Sequence, residues 1–197
     1  MRAWARAAPL VALLAWACAV NPATGRRQLV LFGEDREIAM GREADRAFAA
    51  QLGEVDAPEL TAYVRDLGLR LAAVSERPDL PWSVRVLDDP TVNAFALPGG
   101  FLFVTRGLLA SLDSEAELAG VLGHEIGHVT ARHSAERLSR QQLQSLGLGL
   151  GMVLSTDLRR VGDLVSTGLA LVDLRFSRGD ELEADHLGAR YMARAGY

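Results

Sequence analysis

The spacing of apolar residues predicts a chain built mostly from amphipathic helices. Apolar side chains recur every three or four positions over residues 34–52 and again over 57–74, which is the period of a helix with one buried face. We expect both helices to act as scaffold. The inward positions of the first are Ile38, Ala44, Ala47 and Phe48. Those of the second are Leu60, Val64, Leu67 and Leu71.

Alternating apolar and polar residues predict a small sheet in the middle of the chain. Residues 82–87 alternate as a half-buried strand does. Residues 93–97 and 101–105 flank Pro98-Gly99-Gly100, as the two arms of a hairpin flank their turn. We therefore expect a small, mainly antiparallel sheet.

These strands have two interpretations. In the first they form core sheet only. In the second an edge strand also pairs with an extended peptide, because the free backbone groups of an edge can bind a further strand. The substrate contacts would then come from Asn93, Ala94 and Phe95, with the Asn93 side chain on a substrate carbonyl. Alternatively, Asn93 simply closes a turn after Pro90.

A further helix is predicted to begin near Ser114. Ser114 and Glu117 have the spacing of a capping box, in which each side chain binds the other residue's backbone N–H. Gly120, Gly123 and Gly127 each lower helix propensity by up to about 1 kcal/mol. Three such residues in one helix indicate the close approach of another element. The apolar positions at helical spacing are Leu118, Val121, Leu122, Ile126 and Val129.

This helix carries a His-Glu-x-x-His motif from His124 to His128. Residues four apart in a helix lie about 40° apart, so the two imidazoles face the same side, as two ligands of one metal ion must. Glu125 is about 100° from His124, within reach of a water on that metal without being a ligand. The motif is typical of a zinc site in which the carboxylate is a general base. The alternative is a helix that happens to carry two histidines.

A catalytic zinc ion has three protein ligands and one open position for water, and residues 180–185 offer the missing ligand. Glu181 and Asp185 are four apart, so one helical face presents both carboxylates. We expect Glu181 to be the ligand and Asp185 to hold an imidazole N–H from behind. Glu183 lies about 200° from Glu181 and points elsewhere. Acidic helix faces are usually solvated, so this assignment depends on the upstream motif.

The ordered pair His124-Glu125-x-x-His128 and Glu181-x-x-x-Asp185 resembles the M48 family of zinc metallopeptidases. Three other segments, which together extend the likeness over residues 18–197, are also similar to that family. They are Cys18-x-x-Asn21-Pro22-x-Thr24-Gly25-Arg26-Arg27, which resembles bacterial lipoprotein members, Asn93-Ala94-Phe95-Ala96-Leu97-Pro98-Gly99-Gly100, and Ser177-Arg178.

The resemblance implies an α+β fold, mostly helical and zincin-like, with the sheet beside the His-Glu-x-x-His helix. It implies one zinc ion per chain, on His124, His128 and Glu181, and endopeptidase activity on polypeptides. The expected substrates are damaged or misassembled envelope proteins. The peptidase domain would cover residues 34–197, after a connector over 18–33. Family members usually continue further, so we expect this chain either to lack that continuation or to complete its site differently.

Two other functions stay open. One is a chaperone-like envelope factor that binds client proteins with little proteolysis, a role that family members are known to combine with cleavage. The other is a zinc hydrolase that acts on a non-peptide amide. An intact Glu125 favours chemistry, because a purely structural zinc site does not need it.

Residues 1–17 have the features of an export signal: basic residues, an apolar stretch from Leu10, and then small residues. Ala15-Trp16-Ala17 predicts cleavage before Cys18. Cleavage either leaves a lipidated Cys18 that anchors the protein to the outer membrane, or a secreted protein with a free thiol. The likeness to lipoproteins favours lipidation, and both outcomes place the protein in the periplasm or beyond.

The remaining features exclude more than they assign. A formal net charge of −4 provides no basic surface for nucleic acid, and one cysteine excludes an internal disulfide. By helical angle, His133 and His186 are expected to be surface imidazoles rather than ligands. A solvated basic helix end is expected from Arg132, Arg137 and Arg140. The oligomeric state is not predicted.

Two apolar segments, 143–154 and 162–176, follow the motif. Both are too short and interrupted for membrane spans. They are interpreted either as a lid that moves on its glycines, as the family resemblance implies, or as core helices.

Overall fold

The computed structural model describes residues 18–149 and 176–197, and within them the chain has the expected α+β fold. The strands are β1 (Cys18–Val20), β2 (Arg27–Leu29), β3 (Ser83–Leu87), β4 (Ala94–Leu97) and β5 (Phe101–Thr105). The helices are α1 (Glu34–Leu52), α2 (Pro58–Ala73), α3 (Arg106–Leu109), α4 (Glu115–Thr130), α5 (His133–Gly149) and α6 (Arg178–Ala195).

The two scaffold helices form where the periodicity places them. On α1, Ala44 and Phe48 are buried, and on α2 so are Val64, Leu67 and Leu71. The prediction for Leu60 is wrong, because this side chain is 40% exposed. Leu60 lies in the first turn of α2, and a helix face is buried only over the length that other elements cover.

The central sheet has the strand order β3-β5-β4. The β4–β5 hairpin is antiparallel and confirms the predicted turn, whereas β3 runs parallel to β5, with Ser83 opposite Phe101. The sheet is therefore mixed, and a second, two-stranded sheet of β1 and β2 is antiparallel. Gly99 in the hairpin turn has φ +84°, and a Cβ there would lie 2.6 Å from the backbone of α1. This turn can therefore dock on α1 only because residue 99 is glycine.

The sheet is covered on both faces. One core cluster lies between the sheet and α2, α4 and α6; among its members are Val64, Leu67, Val86, Leu102, Leu122, Ile126, Leu187 and Tyr191. The other lies between the sheet and α1 and comprises Ala44, Phe48, Leu87, Leu97, Phe101 and Phe103. Burial on both sides fixes β4 next to α4, which positions the site.

The glycines of α4 make room for α6. A Cβ on Gly127 would lie 2.8 Å from the carbonyl oxygen of Ala184, and one on Gly123 would lie 3.1 Å from that of Gly188. The predicted close approach is confirmed at these two positions. At Gly120 a Cβ would meet only the Met192 sulfur at 3.8 Å, which is ordinary contact.

No helix among the described residues is long and apolar enough to cross a membrane. The predicted signal over residues 1–17 lies outside the described residues. So do residues 150–175, which hold much of the predicted lid or core segments.

Candidate metal centre

Two capped helices, α4 and α6, position the candidate ligands. The Ser114 hydroxyl accepts a hydrogen bond from Glu117 N, as expected, although Glu117 binds the backbone N–H of Asp113 rather than that of Ser114. At the start of α6, Ser177 and Asp180 form a complete capping box. This cap begins α6 so that Glu181 lies in its first turn.

The structure brings His124, His128 and Glu181 together around one point. The His124 and His128 Nε2 atoms are 3.0 Å apart, and Glu181 Oε2 lies 3.4 Å from the first and 3.8 Å from the second. Tetrahedral zinc with bonds of about 2.0–2.2 Å places neighbouring ligand atoms about 3.3–3.6 Å apart. Two imidazoles and a carboxylate at this spacing fit zinc.

The surroundings of His128 favour its uncharged imidazole. Burial, followed by the nearby His133 and His124 rings, lowers the pKa of His128 to about 2. A metal ion binds the neutral form of histidine, so this environment keeps the ring ready for a cation.

The two imidazoles are held from behind by different partners. His124 Nδ1 lies 2.8 Å from Asp185 Oδ1, the arrangement expected from the sequence. His128 Nδ1 lies 2.9 Å from Nδ1 of His133. The expectation that His133 is a surface imidazole is therefore wrong, because the residue is only 3% exposed. His186 is exposed, as expected.

The error at His133 has a physical cause. The helical angle assumed one continuous helix, whereas α4 ends at Thr130 and Arg132 has φ +60°, in the left-handed region. The chain therefore turns before α5, and the turn directs His133 back toward His128. The expectation of a solvated Arg132 is wrong for the same reason: its Nε donates to buried Glu37 at 2.9 Å. Arg140 is exposed, as expected.

Phe176 also contacts the site, and the sequence analysis did not identify it. Its ring stacks on that of His128, with centroids 4.1 Å apart and planes at 21°. A single aromatic residue before a helix cap has no pattern that would single it out. The contact covers one face of His128 with apolar surface.

Glu125 lies beside the three candidate ligands. Burial, followed by the nearby Glu181 carboxylate, raises the pKa of Glu125 to about 8, although the backbone N–H of Ala96 donates to its carboxylate and opposes the shift. A carboxyl group with a pKa near neutrality is suited to accept a proton and release it again.

The pairing of β4 with β5 shows which backbone groups of β4 are left unpaired within the sheet. Thr105 N donates to Asn93 O. Along an antiparallel strand, the backbone groups of successive residues point alternately toward and away from the partner strand, so those of Asn93 and Phe95 point toward β5. The backbone groups of Ala94 and Ala96 point to the other side, toward α4. Because β4 is an edge strand among the described residues, these groups line the site.

The three residues expected to contact substrate therefore differ in what they offer. Ala94 has outward backbone groups. The ring of Phe95 is partly buried and packs on Phe48 and Phe103, with centroids 5.2 and 4.8 Å away, so it covers the edge of the core. The Asn93 side chain is exposed at the start of the strand.

Two imidazoles and a carboxylate around one point, with a glutamate next to the first imidazole, define the class of His-Glu-x-x-His metallopeptidases. The chain belongs to peptidase family M48, whose family model matches residues 58–197. M48 metallopeptidases are zinc-dependent in general.

Curated relatives agree with this assignment. The chain is 37% identical over 180 residues to the mitochondrial metalloendopeptidase OMA1 of Schizosaccharomyces pombe, covering 88% of this chain and 52% of the relative. It is 34% identical over 172 residues to the beta-barrel assembly-enhancing protease of Yersinia pestis, covering 83% and 35%. The chain thus spans between about a third and a half of the length of these relatives.

Proposed function

We propose that this protein is a zinc-dependent endopeptidase that hydrolyses polypeptides, with one zinc ion held by His124, His128 and Glu181. The observation that carries the proposal is the convergence of these three side chains from two helices beside Glu125. When bound, the zinc ion would supply a Lewis acid and lower the pKa of a water molecule.

Glu125 is the proposed general base. Its raised pKa suits it to take the proton of the attacking water and to deliver it to the leaving amine. The Ala96 N–H holds the carboxylate in place. Asp185 orients His124 through its Nδ1 and leaves Nε2 free for the metal.

The proposed substrate is an extended peptide that adds to the free edge of β4. Of the outward backbone groups, the Ala94 N–H and the carbonyls of Ala94 and Ala96 remain for this pairing. Main-chain hydrogen bonds carry little sequence preference, which suits an enzyme that acts on many polypeptides. The exposed Asn93 side chain is proposed to bind a substrate carbonyl at the end of this edge.

The proposed setting is protein quality control in the cell envelope. The Yersinia pestis relative, a beta-barrel assembly-enhancing protease, supports this setting, whereas the OMA1 relatives are mitochondrial. We further propose that residues 1–17 are removed and that a lipid on Cys18 anchors the protein to the outer membrane. Metabolic labelling with a fatty acid tests this, and a Cys18→Ala variant should lose the label.

The central experiment compares the full-length protein with its Glu125→Gln variant. Metal analysis should find one zinc per chain in both, and cleavage of an unfolded protein such as casein should fall at least about 100-fold in the variant. Glu43→Gln, at an exposed position of α1, is the matched control and should cleave normally. An unchanged rate in Glu125→Gln would contradict the proposal.

The same variant separates proteolysis from client binding. If Glu125→Gln restores envelope-protein assembly in cells as well as the wild type does, the protein acts mainly as a chaperone-like factor. If only the wild type restores assembly, cleavage is the main activity.

A further inference from the structure

The imidazole of His128 has an unusual partner, and the hydrogen bonds continue beyond that partner to residues outside the candidate metal centre. His128 Nδ1 meets another imidazole, His133, and not a carboxylate. On its far side, His133 Nε2 lies 3.5 Å from Glu183 Oε2. The other oxygen of Glu183 accepts a hydrogen bond of 3.2 Å from the side-chain amide of Asn21. Four side chains from three parts of the chain thus form one row.

The direction of these hydrogen bonds follows from metal ligation. If His128 offers the lone pair of Nε2, its Nδ1 carries the proton and donates to His133 Nδ1. His133 must then carry its own proton on Nε2, which donates to the Glu183 carboxylate. The Asn21 amide donates to Glu183 from the other side. Every bond in the row therefore has one donor and one acceptor, and each tautomer is determined.

Asn21 connects this row to the turn between β1 and β2. The residue is 3% exposed, and its side-chain oxygen accepts from the N–H groups of Ala23 and Thr24, at 2.9 and 3.3 Å. Its backbone closes the same turn, since Asn21 N donates to Arg26 O at 2.8 Å. One side chain therefore shapes the turn and binds Glu183 at the same time.

The segment that follows β2 is also attached to α5 and to Arg132, which directly precedes this helix. Leu31 N donates to the Ser139 hydroxyl at 2.9 Å, and Arg132 binds the carbonyl of Phe32. The N-terminal hairpin is therefore held on the helix that begins with His133. This attachment gives the row a defined position relative to His128.

We propose that His133 is a positioning residue that fixes the tautomer and orientation of His128, and that Glu183 and Asn21 extend this support to the N-terminal hairpin. Docking of the hairpin and metal affinity are then coupled. The inference rests on the proposed metal centre. Loss of a group that supports a metal-binding histidine costs about 10- to 100-fold in metal affinity, which sets the expected size of the effect.

Zinc affinity of the full-length protein, measured by competition with a chromophoric chelator, is the first test. His133→Leu should bind zinc about 10- to 100-fold more weakly. His133→Asn keeps an acceptor near the position of Nδ1 and should recover much of this loss. His186→Leu removes an exposed imidazole and is the matched control, with unchanged affinity.

Amide hydrogen exchange of residues 21–30 is the second test, because coupling between two sites is reciprocal. Zinc should slow exchange of the turn amides in the wild type. Asn21→Asp keeps the oxygen that shapes the turn but loses the donor to Glu183. In this variant zinc should protect the turn less and bind more weakly.

The outcomes are distinguishable. A folded His133→Leu protein with affinity within about twofold of wild type would overturn the inference, as would a His133→Asn protein no better than His133→Leu. If His133→Leu does not fold, equal zinc protection of the turn in Asn21→Asp and wild type would overturn it. If the wild type itself binds no zinc, or if His124→Ala leaves its affinity unchanged, the proposed metal centre fails instead.

Discussion

Replacing Gly188 with alanine should move α6 away from α4 and loosen the metal centre. Gly188 lies where α6 packs tightly against α4, and an added Cβ would stand 2.8 Å from His124 N and from the carbonyl carbon of Gly123. Both neighbours are backbone atoms, so neither can rotate away. The helices themselves must separate.

The contact distances set the size of the effect. Ordinary Cβ contacts begin at 3.4 Å, so the axes must part by about 0.6 Å, from 3.4 minus 2.8. Overpacking of this kind costs about 1–3 kcal/mol, from which up to about 1 kcal/mol of improved helix propensity is regained. We therefore expect a net loss of about 1–2 kcal/mol in the free energy of unfolding.

The same displacement acts on the site, because α6 carries Glu181 while α4 carries the two imidazoles. A misplacement of about 1 Å costs about 100-fold in rate, so a shift of about 0.6 Å should cost about tenfold in kcat/KM. Zinc affinity should fall as well, since the carboxylate moves away from both nitrogens.

Urea unfolding and chelator competition on Gly188→Ala measure the two effects. Gly120→Ala is the control, because its Cβ meets only the Met192 sulfur at 3.8 Å and its helix is the one that carries the imidazoles. The control should keep its zinc affinity and gain up to about 1 kcal/mol of stability. If the two variants behave alike in both assays, close helix packing does not position the ligands.

Three further predictions concern other parts of the structure. Burial raises the pKa of Glu125 to about 8. In metal-free protein, the stability that the protonated Glu125 side chain contributes is fully present below about pH 4.5 and is lost as pH rises through 8. At 1.36 kcal/mol per pKa unit, the largest possible effect on the free energy of unfolding is about 5 kcal/mol, and the half-buried side chain reduces it. By urea unfolding, Glu125→Gln should therefore be about 2–3 kcal/mol more stable than wild type at about pH 9 and equally stable at about pH 4. The same stability difference at both pH values would contradict this. Glu37→Gln should cost about 3–5 kcal/mol in the same assay, because buried Glu37 accepts from Arg77 at 2.7 Å and from Arg132 at 2.9 Å, and a loss below about 1 kcal/mol would show that the charge is dispensable. Gly99→Ala should lower the midpoint of thermal unfolding, because its φ of +84° disfavours a side chain and its Cβ would clash with α1; an unchanged midpoint would refute the clash.

Local spacing carried most of the fold and the central part of the candidate site. Helix period, strand alternation and caps act over a few residues. The sequence alone therefore predicted α1, α2, α4 and the β4–β5 hairpin. Because the residues of each pair are four apart, helix geometry alone places His124 and His128 on one face of their helix, and Glu181 and Asp185 on one face of theirs. The glycines of α4 also indicated the close approach of another element, which the structure shows to be α6.

What the sequence could not determine depends on how the chain turns between elements. A left-handed Arg132 ends α4 and directs His133 inward, and no local rule assigns that backbone state to an arginine. The parallel pairing of β3 with β5 is a long-range choice of the same kind.

The sequence by itself determined the chemistry: a His-Glu-x-x-His helix, an acidic helix to complete the site, and an amphipathic scaffold. Only the tertiary structure decided which side chains support that chemistry, by placing Phe176 against His128 and joining Asn21, Glu183 and His133 in one row. The physical reason is range. Backbone periodicity is set by neighbours a few residues away, whereas contacts between residues 21 and 183 exist only once the whole domain has packed.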